Sequence, residues 1–212
     1  NLDIFKLLLQ NDKVDPNIMN KIYVLNTNET AGNEDECECT AFYWAVKEGY
    51  IEFAKILIEN EKVDPNIRAK GWSKDYECCD YRYYEKAPIY IAAEKHEYSL
   101  LKLLVENDKI DINIMNKVIE KHSLDYFQSD FMEEDSIDEH KVLHLAANDE
   151  FKDIKGVIKM IKILMSNKNI GINIKDNHEK RPIFYATKKE TIKAYYFYYF
   201  QNRYNLKKIS VN

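Results

Sequence analysis

The 212-residue chain carries only 5 glycines, 4 prolines and 4 cysteines. So few glycines leave no Gly-rich loop to cradle a phosphate, which removes the usual nucleotide-binding signatures. No apolar run approaches the ~20 residues that a membrane-crossing helix needs. The longest candidate, VIKMIKILM, is cut by Lys159 and Lys162 and reads as the buried face of an amphipathic helix. Four cysteines without regular spacing make no disulfide framework, and they fit a reducing, cytoplasmic setting. The acidic segment from Asp130 has Phe131 and Met132 and no Gly where an EF-hand loop needs alternating ligands and a central Gly, so calcium is not expected there. No cofactor is implied by any motif.

What the chain has is repetition. Four segments share one pattern: KLLLQN (6–11), KILIEN (55–60), KLLVEN (102–107) and KILMSN (162–167). Each is followed six residues later by another Asn, at positions 17, 66, 113 and 173. Upstream, TAFYWAV (40–46), APIYIAA (87–93), KVLHLAA (141–147) and RPIFYAT (181–187) recur as helix-opening segments. In the clearest unit, Pro88 opens a helix running to about Lys95. Leu100, Leu103 and Leu104 then stripe a second helix, from Ser99 to Glu106. Asn107 follows as the expected left-handed closing residue. A fixed period of this kind means an array of stacked helix pairs.

These motifs resemble the ankyrin repeat, whose core reads TPLHxAA, a turn, a second helix and D-x-N. Pro88 and Pro182 match the Pro, His144 the His and Gly49 the turn Gly. Ala45, Ala92, Ala93, Ala146, Ala147 and Ala186 match the small residues, and Asp15/Asn17, Asp64/Asn66 and Asp111/Asn113 match D-x-N. The chain departs from the family in lacking the helix-ending Gly and in adding one residue before D-x-N. Tyr43, Tyr90 and Phe184 replace the His, and six extra residues lie between the two helices of the fourth repeat. The resemblance implies an all-α solenoid of helix-turn-helix units with long hairpin or finger insertions. It divides one domain into a partial repeat with an outer helix only (1–27), repeats at 28–75, 76–124 and 125–176, and a terminal repeat at 177–212. The opening in mid-repeat suggests a segment of a longer chain.

The fingers hold the unusual content. The family spends about nine residues between the D-x-N Asn and the next helix, as Asn173 to Pro182 does here, but the three earlier connectors take 24, 22 and 29. Connectors of that length inside an array are usually functional or disordered. The first, acidic around Glu34–Glu38, and the third, with Asp125, Asp130, Glu133, Glu134, Asp135, Asp138 and Glu139, read as solvated charge. The second, GWSKDYECCDYRYYEK, interleaves aromatics with both signs of charge and reads either as a contact surface or as aromatics that fold the finger onto its neighbours.

Charge is split along the chain: residues 1–150 carry a balance of −15 and residues 151–212 one of +10. An acidic body argues against nucleic acid as a partner, even with the aromatic, basic ending AYYFYYFQNRYNLKK. Cys37, Cys39, Cys78 and Cys79 on adjacent fingers raise a zinc reading, but C-x-C and C-C are poor matches to the spacing that wraps the metal, and no metal is assigned. His96, His122, His140 and His178 have no neighbour in sequence that fixes a catalytic geometry, and the resemblance makes His144 a structural hydrogen-bonding histidine.

The expectation is therefore a non-enzymatic protein-interaction module, an adaptor or scaffold. Its contact residues would be Trp72, Tyr76, Tyr81 and Tyr83 on the second finger and Lys47, Glu48, Glu94, Lys95, Asn148 and Asp149 at the inner-helix ends. The alternative is a structural, cytoskeleton-associated protein that docks on an acidic filament such as a microtubule through Lys188, Lys189, Lys193, Arg203, Lys207 and Lys208.

Overall fold

A computed structural model describes residues 2–25, 34–75, 80–121, 136–148 and 154–186. They fall into two compact units, one built from 1–88 with 116–139 and the other from 89–115 with residues 140 onward.

The first unit holds α1 (Leu2–Gln10), the helix pair α2 (Ala41–Lys47) and α3 (Ile51–Glu59), and six strands. Thr40 starts α2 by accepting a hydrogen bond from the Tyr43 N–H at 3.2 Å, the ordinary way of satisfying a first-turn donor. Gly49, at φ 74°, then turns the chain into α3, which buries Ala54, Leu57 and Ile58 at helical spacing. Ala45 on α2 lets the two helices of the pair approach closely.

The second unit repeats this with α4 (Pro88–Glu94) and α5 (Tyr98–Val105), then α6 (Val142–Ala147) and α7 (Ile154–Met165), and it adds the short α8 (Pro182–Tyr185). Leu100, Leu101, Leu104, Met160, Ile161 and Leu164 are all fully buried. At 12 residues, α7 outlasts the 8 of α5, so at least part of the extra length in the fourth repeat lengthens the outer helix.

The recurring asparagines are the joints of the array. Asn11, Asn60, Asn107 and Asn167 each accept, through Oδ1, the N–H two residues on, at 2.8–2.9 Å. The expected left-handed closure at Asn107 is thus replaced by a side-chain turn. The D-x-N Asp does the same for its Asn: Asp15, Asp64 and Asp111 accept from the N–H of Asn17, Asn66 and Asn113 at 2.9 Å. Within the first unit Asn17 then clamps the next repeat, donating to the Lys62 carbonyl at 2.7 Å and accepting from the Asp64 N–H at 2.8 Å. Asn113 does likewise in the second unit, with the Asn169 carbonyl at 2.8 Å and the Gly171 N–H at 2.7 Å.

The expectation of an all-α fold is wrong. Strands β1 (Asn20–Leu25), β2 (Glu34–Cys39), β3 (Ala69–Asp75), β4 (Asp80–Lys86), β5 (Asn116–Lys121) and β6 (Ser136–His140) lie side by side in chain order as one antiparallel sheet. The enlargement of the fingers is the physical reason. Arms of five to seven residues leave backbone donors and acceptors that must be paired, and the neighbouring finger supplies the partners. The fourth finger is short and folds into turns, and among the described residues the sheet ends at β6. That edge carries Asp138, Glu139 and His140, charged and titratable side chains of the kind that discourage further strand addition.

Among the described residues, two non-glycine residues have positive φ, His96 (57°) and Glu179 (59°). His96 occupies the turn position that Gly49 fills one repeat earlier. Glu179 closes the fourth finger, where Asp176 and Lys180 are bridged by a backbone hydrogen bond of 2.9 Å. Glu179→Gly should therefore stabilise the chain by about 0.5–1 kcal/mol, because the side-chain contact it gives up among the described residues is an exposed pair with Lys175. A higher thermal midpoint checks this.

Candidate functional site

Strand register decides which side chains meet. Across the sheet, Tyr23 pairs with Glu36, Glu36 with Trp72, Trp72 with Tyr83, and Tyr83 with Ile119. Two residues along every strand, a second row runs Lys21, Glu38, Lys70, Glu85, Lys117. Since side chains two apart share a face, both rows lie on one side of the sheet. The opposite side carries Ile22, Cys37, Gly71, Tyr84 and Val118, with Cys37 and Gly71 buried. The Tyr84 ring lies directly over Gly71, where an added Cβ would meet it at 2.2 Å.

The first side is the solvent side. Tyr23 is 69% exposed and Trp72 45%, while Tyr83 and Ile119 are half-buried. The Trp72 and Tyr83 rings touch, with centroids 4.7 Å apart and planes at 50°. Burial, aided by the Tyr83 hydroxyl donating to Glu85 at 2.9 Å, pushes that phenol up to about 12. It is held as a donor, and its ring is fixed by that bond.

The charges on this face are matched from within. Signs alternate along the Lys21-to-Lys117 row, the favourable cross-strand arrangement. Lys21 also meets Glu36 at 2.7 Å and Arg68 meets Glu85 at 3.2 Å. Between balanced charges the aromatic row remains as exposed apolar area with polar tips, the composition of interface anchors.

The first finger is not simply solvated charge as expected, for Cys37 and Cys39 of β2 are buried free thiols. A hydrogen bond with Cys37, together with burial, holds the Cys39 thiol far above its ordinary value, so Cys39 is not an activated nucleophile. Cys78 and Cys79 lie outside the described residues, as do Tyr76, Asp149, His122, the finger-three acids Asp125, Asp130, Glu133, Glu134 and Asp135, and the whole basic set Lys188, Lys189, Lys193, Arg203, Lys207 and Lys208. Tyr81 is on β4 opposite Lys74.

Of the inner-helix residues, Lys47 and Glu48 stand at the end of α2, in the unit that holds the sheet. The Lys47 ammonium lies 5.3 Å from the Trp44 ring centre, and Glu48 is exposed. Glu94, Lys95 and Asn148 belong to the second unit, where Lys95 is exposed and the other two are half-buried. His144 behaves as expected of a structural histidine: its Nδ1 accepts from the Lys141 N–H at 3.4 Å and its Nε2 donates to the Lys180 carbonyl at 3.2 Å. Burial lowers its proton affinity, which keeps it neutral.

Sequence reading missed Tyr23 and Ile119. The signal was present in NKIYVL and NKVIEK, where side chains of one face recur at every second position.

The family model for ankyrin repeats (three copies) matches residues 1–116, more than half of the chain. The helix pair α6–α7, with KVLHLAA and KILMSN, continues the same motif beyond that match. Searching the curated proteins returns no match to the chain. Ankyrin repeats are in general protein–protein interaction modules and typically lack enzymatic activity. With helix pairs, asparagine joints and fingers in the repeat's own order, the chain belongs to the ankyrin repeat family.

Proposed function

We propose that the chain is an adaptor or scaffold that binds a protein partner through the solvent side of its finger sheet, centred on Trp72 and Tyr83. One observation carries this reading: the touching Trp72–Tyr83 pair of β3 and β4, with Tyr23 of β1 beyond Glu36, lies on a face that carries the ion pairs Lys21–Glu36 and Arg68–Glu85. A Trp that is 45% exposed on an ordered strand is costly to leave in water, and it offers large rigid area with little entropy to lose on binding. Lys47 and Glu48 supply steering charge in the same unit. We place the protein in a reducing, cytoplasmic compartment, consistent with the free thiols of Cys37 and Cys39.

Affinity capture from lysate of the source organism tests the reading. The 212-residue chain is one bait and its Trp72→Ser/Tyr83→Ser form the other. A partner retained by the first and lost by the second is the expected result. For a purified partner, Trp72→Ala alone should cost about 2 kcal/mol or more, roughly thirty-fold in affinity. Equal capture of filament proteins by both baits, released by salt, would instead favour docking through the basic end.

A further inference from the structure

The second unit contains a pocket of about 40 Å³ lined by Tyr90, His140, His144, Leu145, Asn148 and Tyr185. We propose that this pocket receives the ammonium end of one lysine side chain presented by a partner, in competition with protonation of His140.

Size sets the class of ligand. A water needs about 10–15 Å³ of such space, so the pocket suits a terminal –CH₂–NH₃⁺ and is far below the ~300 Å³ that metabolite sites begin at. The walls set its chemistry. The Tyr185 ring stands edge-on to His140 (5.3 Å, 88°) and to His144 (5.9 Å, 78°), while the two imidazoles are 5.9 Å apart at 42°. The wall is thus aromatic, and aromatic rings attract cations through their π faces. This chain's own Lys180 ammonium, 5.9 Å from the Tyr185 ring centre and 4.8 Å from that of Phe184, already uses the outer rings in this way.

Charge lies behind the rings. Asp176 has a fully buried side chain. Burial pushes its carboxyl up, but the hydrogen bonds from the Tyr185 hydroxyl and from the N–H groups of Lys180 and His178 outweigh that and hold it below the ordinary value. The carboxylate is therefore ionised, and those three donors are neutral. Among the described residues, His140 stands in ion-pair range of it, with Nδ1 3.7 Å away, and offsets that charge when it carries a proton.

The groups that face His140 are Asp176 from the fourth finger, neutral His144 from α6 and Tyr185 from α8, with Tyr90 of α4 across the pocket. Its chain neighbour Lys141 points its ammonium to the Lys175 carbonyl at 3.2 Å, and Glu139 precedes it on β6. Half-buried His140, Asn148 and Tyr185 give the pocket a solvent-facing mouth, beside one of the inner-helix ends. This site is independent of the sheet face, and its failure would leave that reading standing.

The test uses the 212-residue chain with labelled His and Tyr side chains, titrated in NMR with Nα-acetyl-lysine-N-methylamide. The norleucine analogue, equal in stem and lacking the ammonium, serves as control. At pH 7.5 the lysine probe should shift His140 and Tyr185 saturably and the control should not. At pH 5.5, where imidazoles take up protons, most of that binding should be lost. A folded Asp176→Asn chain should likewise lose it, and if that variant does not fold, the pH comparison on the unaltered chain decides. The inference is overturned if lysine gives no saturable shift, if norleucine matches it, or if affinity is the same at both pH values.

Discussion

Replacing Asn113 with alanine will lower the stability of the chain by about 2–3 kcal/mol, although the side chain is short and lies near the surface. Two bonds are lost at once, to the Asn169 carbonyl and from the Gly171 N–H, each worth about 0.5–1.5 kcal/mol. The half-buried Gly171 donor is then left to find water around a turn it no longer shapes. Asn113→Asp should be no rescue. A carboxylate still accepts from Gly171, but it cannot donate to Asn169 and sets a charge against that carbonyl. Urea denaturation followed by circular dichroism measures both, and an Asp variant as stable as the native chain would refute the clamp. Asn17 makes the same two bonds in the first unit and should show the same ordering of Asn, Asp and Ala.

Leu104→Ala should cost about 3–5 kcal/mol, while Leu8→Ala should cost less than about 1 kcal/mol. The two leucines hold one position of the repeat, with Leu57 and Leu164 in the others. Sequence cannot separate them; burial does. Leu104 and Leu164 are completely buried and Leu57 is 1% exposed, whereas Leu8 is 54% exposed on α1 beside exposed Ile4 and Leu7. Truncating Leu104 opens a cavity that its neighbours cannot fill, and truncating Leu8 removes a methyl pair already in water. Equal costs at the two positions would mean that Leu8 is covered in solution, and size-exclusion chromatography would then show whether copies associate.

The helix pairs were legible because their signals are local. KILIEN and KLLVEN place apolar residues three and four apart, and a closing Asn can be recognised wherever it stands. The asparagine joints were visible as a spacing, though not as bonds, since their partners lie 45 to 58 residues away. The sheet was missed for a related reason. Resemblance to a helical family made the long connectors look like insertions, and pairing between fingers is a non-local event that depends on register. Within β2 the alternation Glu36-Cys37-Glu38-Cys39 does mark a strand with one buried side, and read by itself it predicts the buried thiols. The aromatic content of the second finger is legible in GWSKDYECCDYRYYEK, while the residues that flank it on the same side of the sheet, Tyr23 and Ile119, come from the first and third fingers. Asp176 and His140 stand 36 residues apart, and no spacing rule joins them.

The central claim, that the partner sits on the sheet, is tested most directly by the chain's two tryptophans. Trp72 lies on the exposed face of β3, and Trp44 lies half-buried in the middle of α2, its ring 5.3 Å from the Lys47 ammonium. Each gives one indole N–H signal in a ¹⁵N spectrum, assigned by Trp72→Phe. On adding the captured partner, the Trp72 signal should move or broaden while that of Trp44 stays in place. A moving Trp44 signal with Trp72 unchanged would contradict the account and transfer the contact to the inner helices.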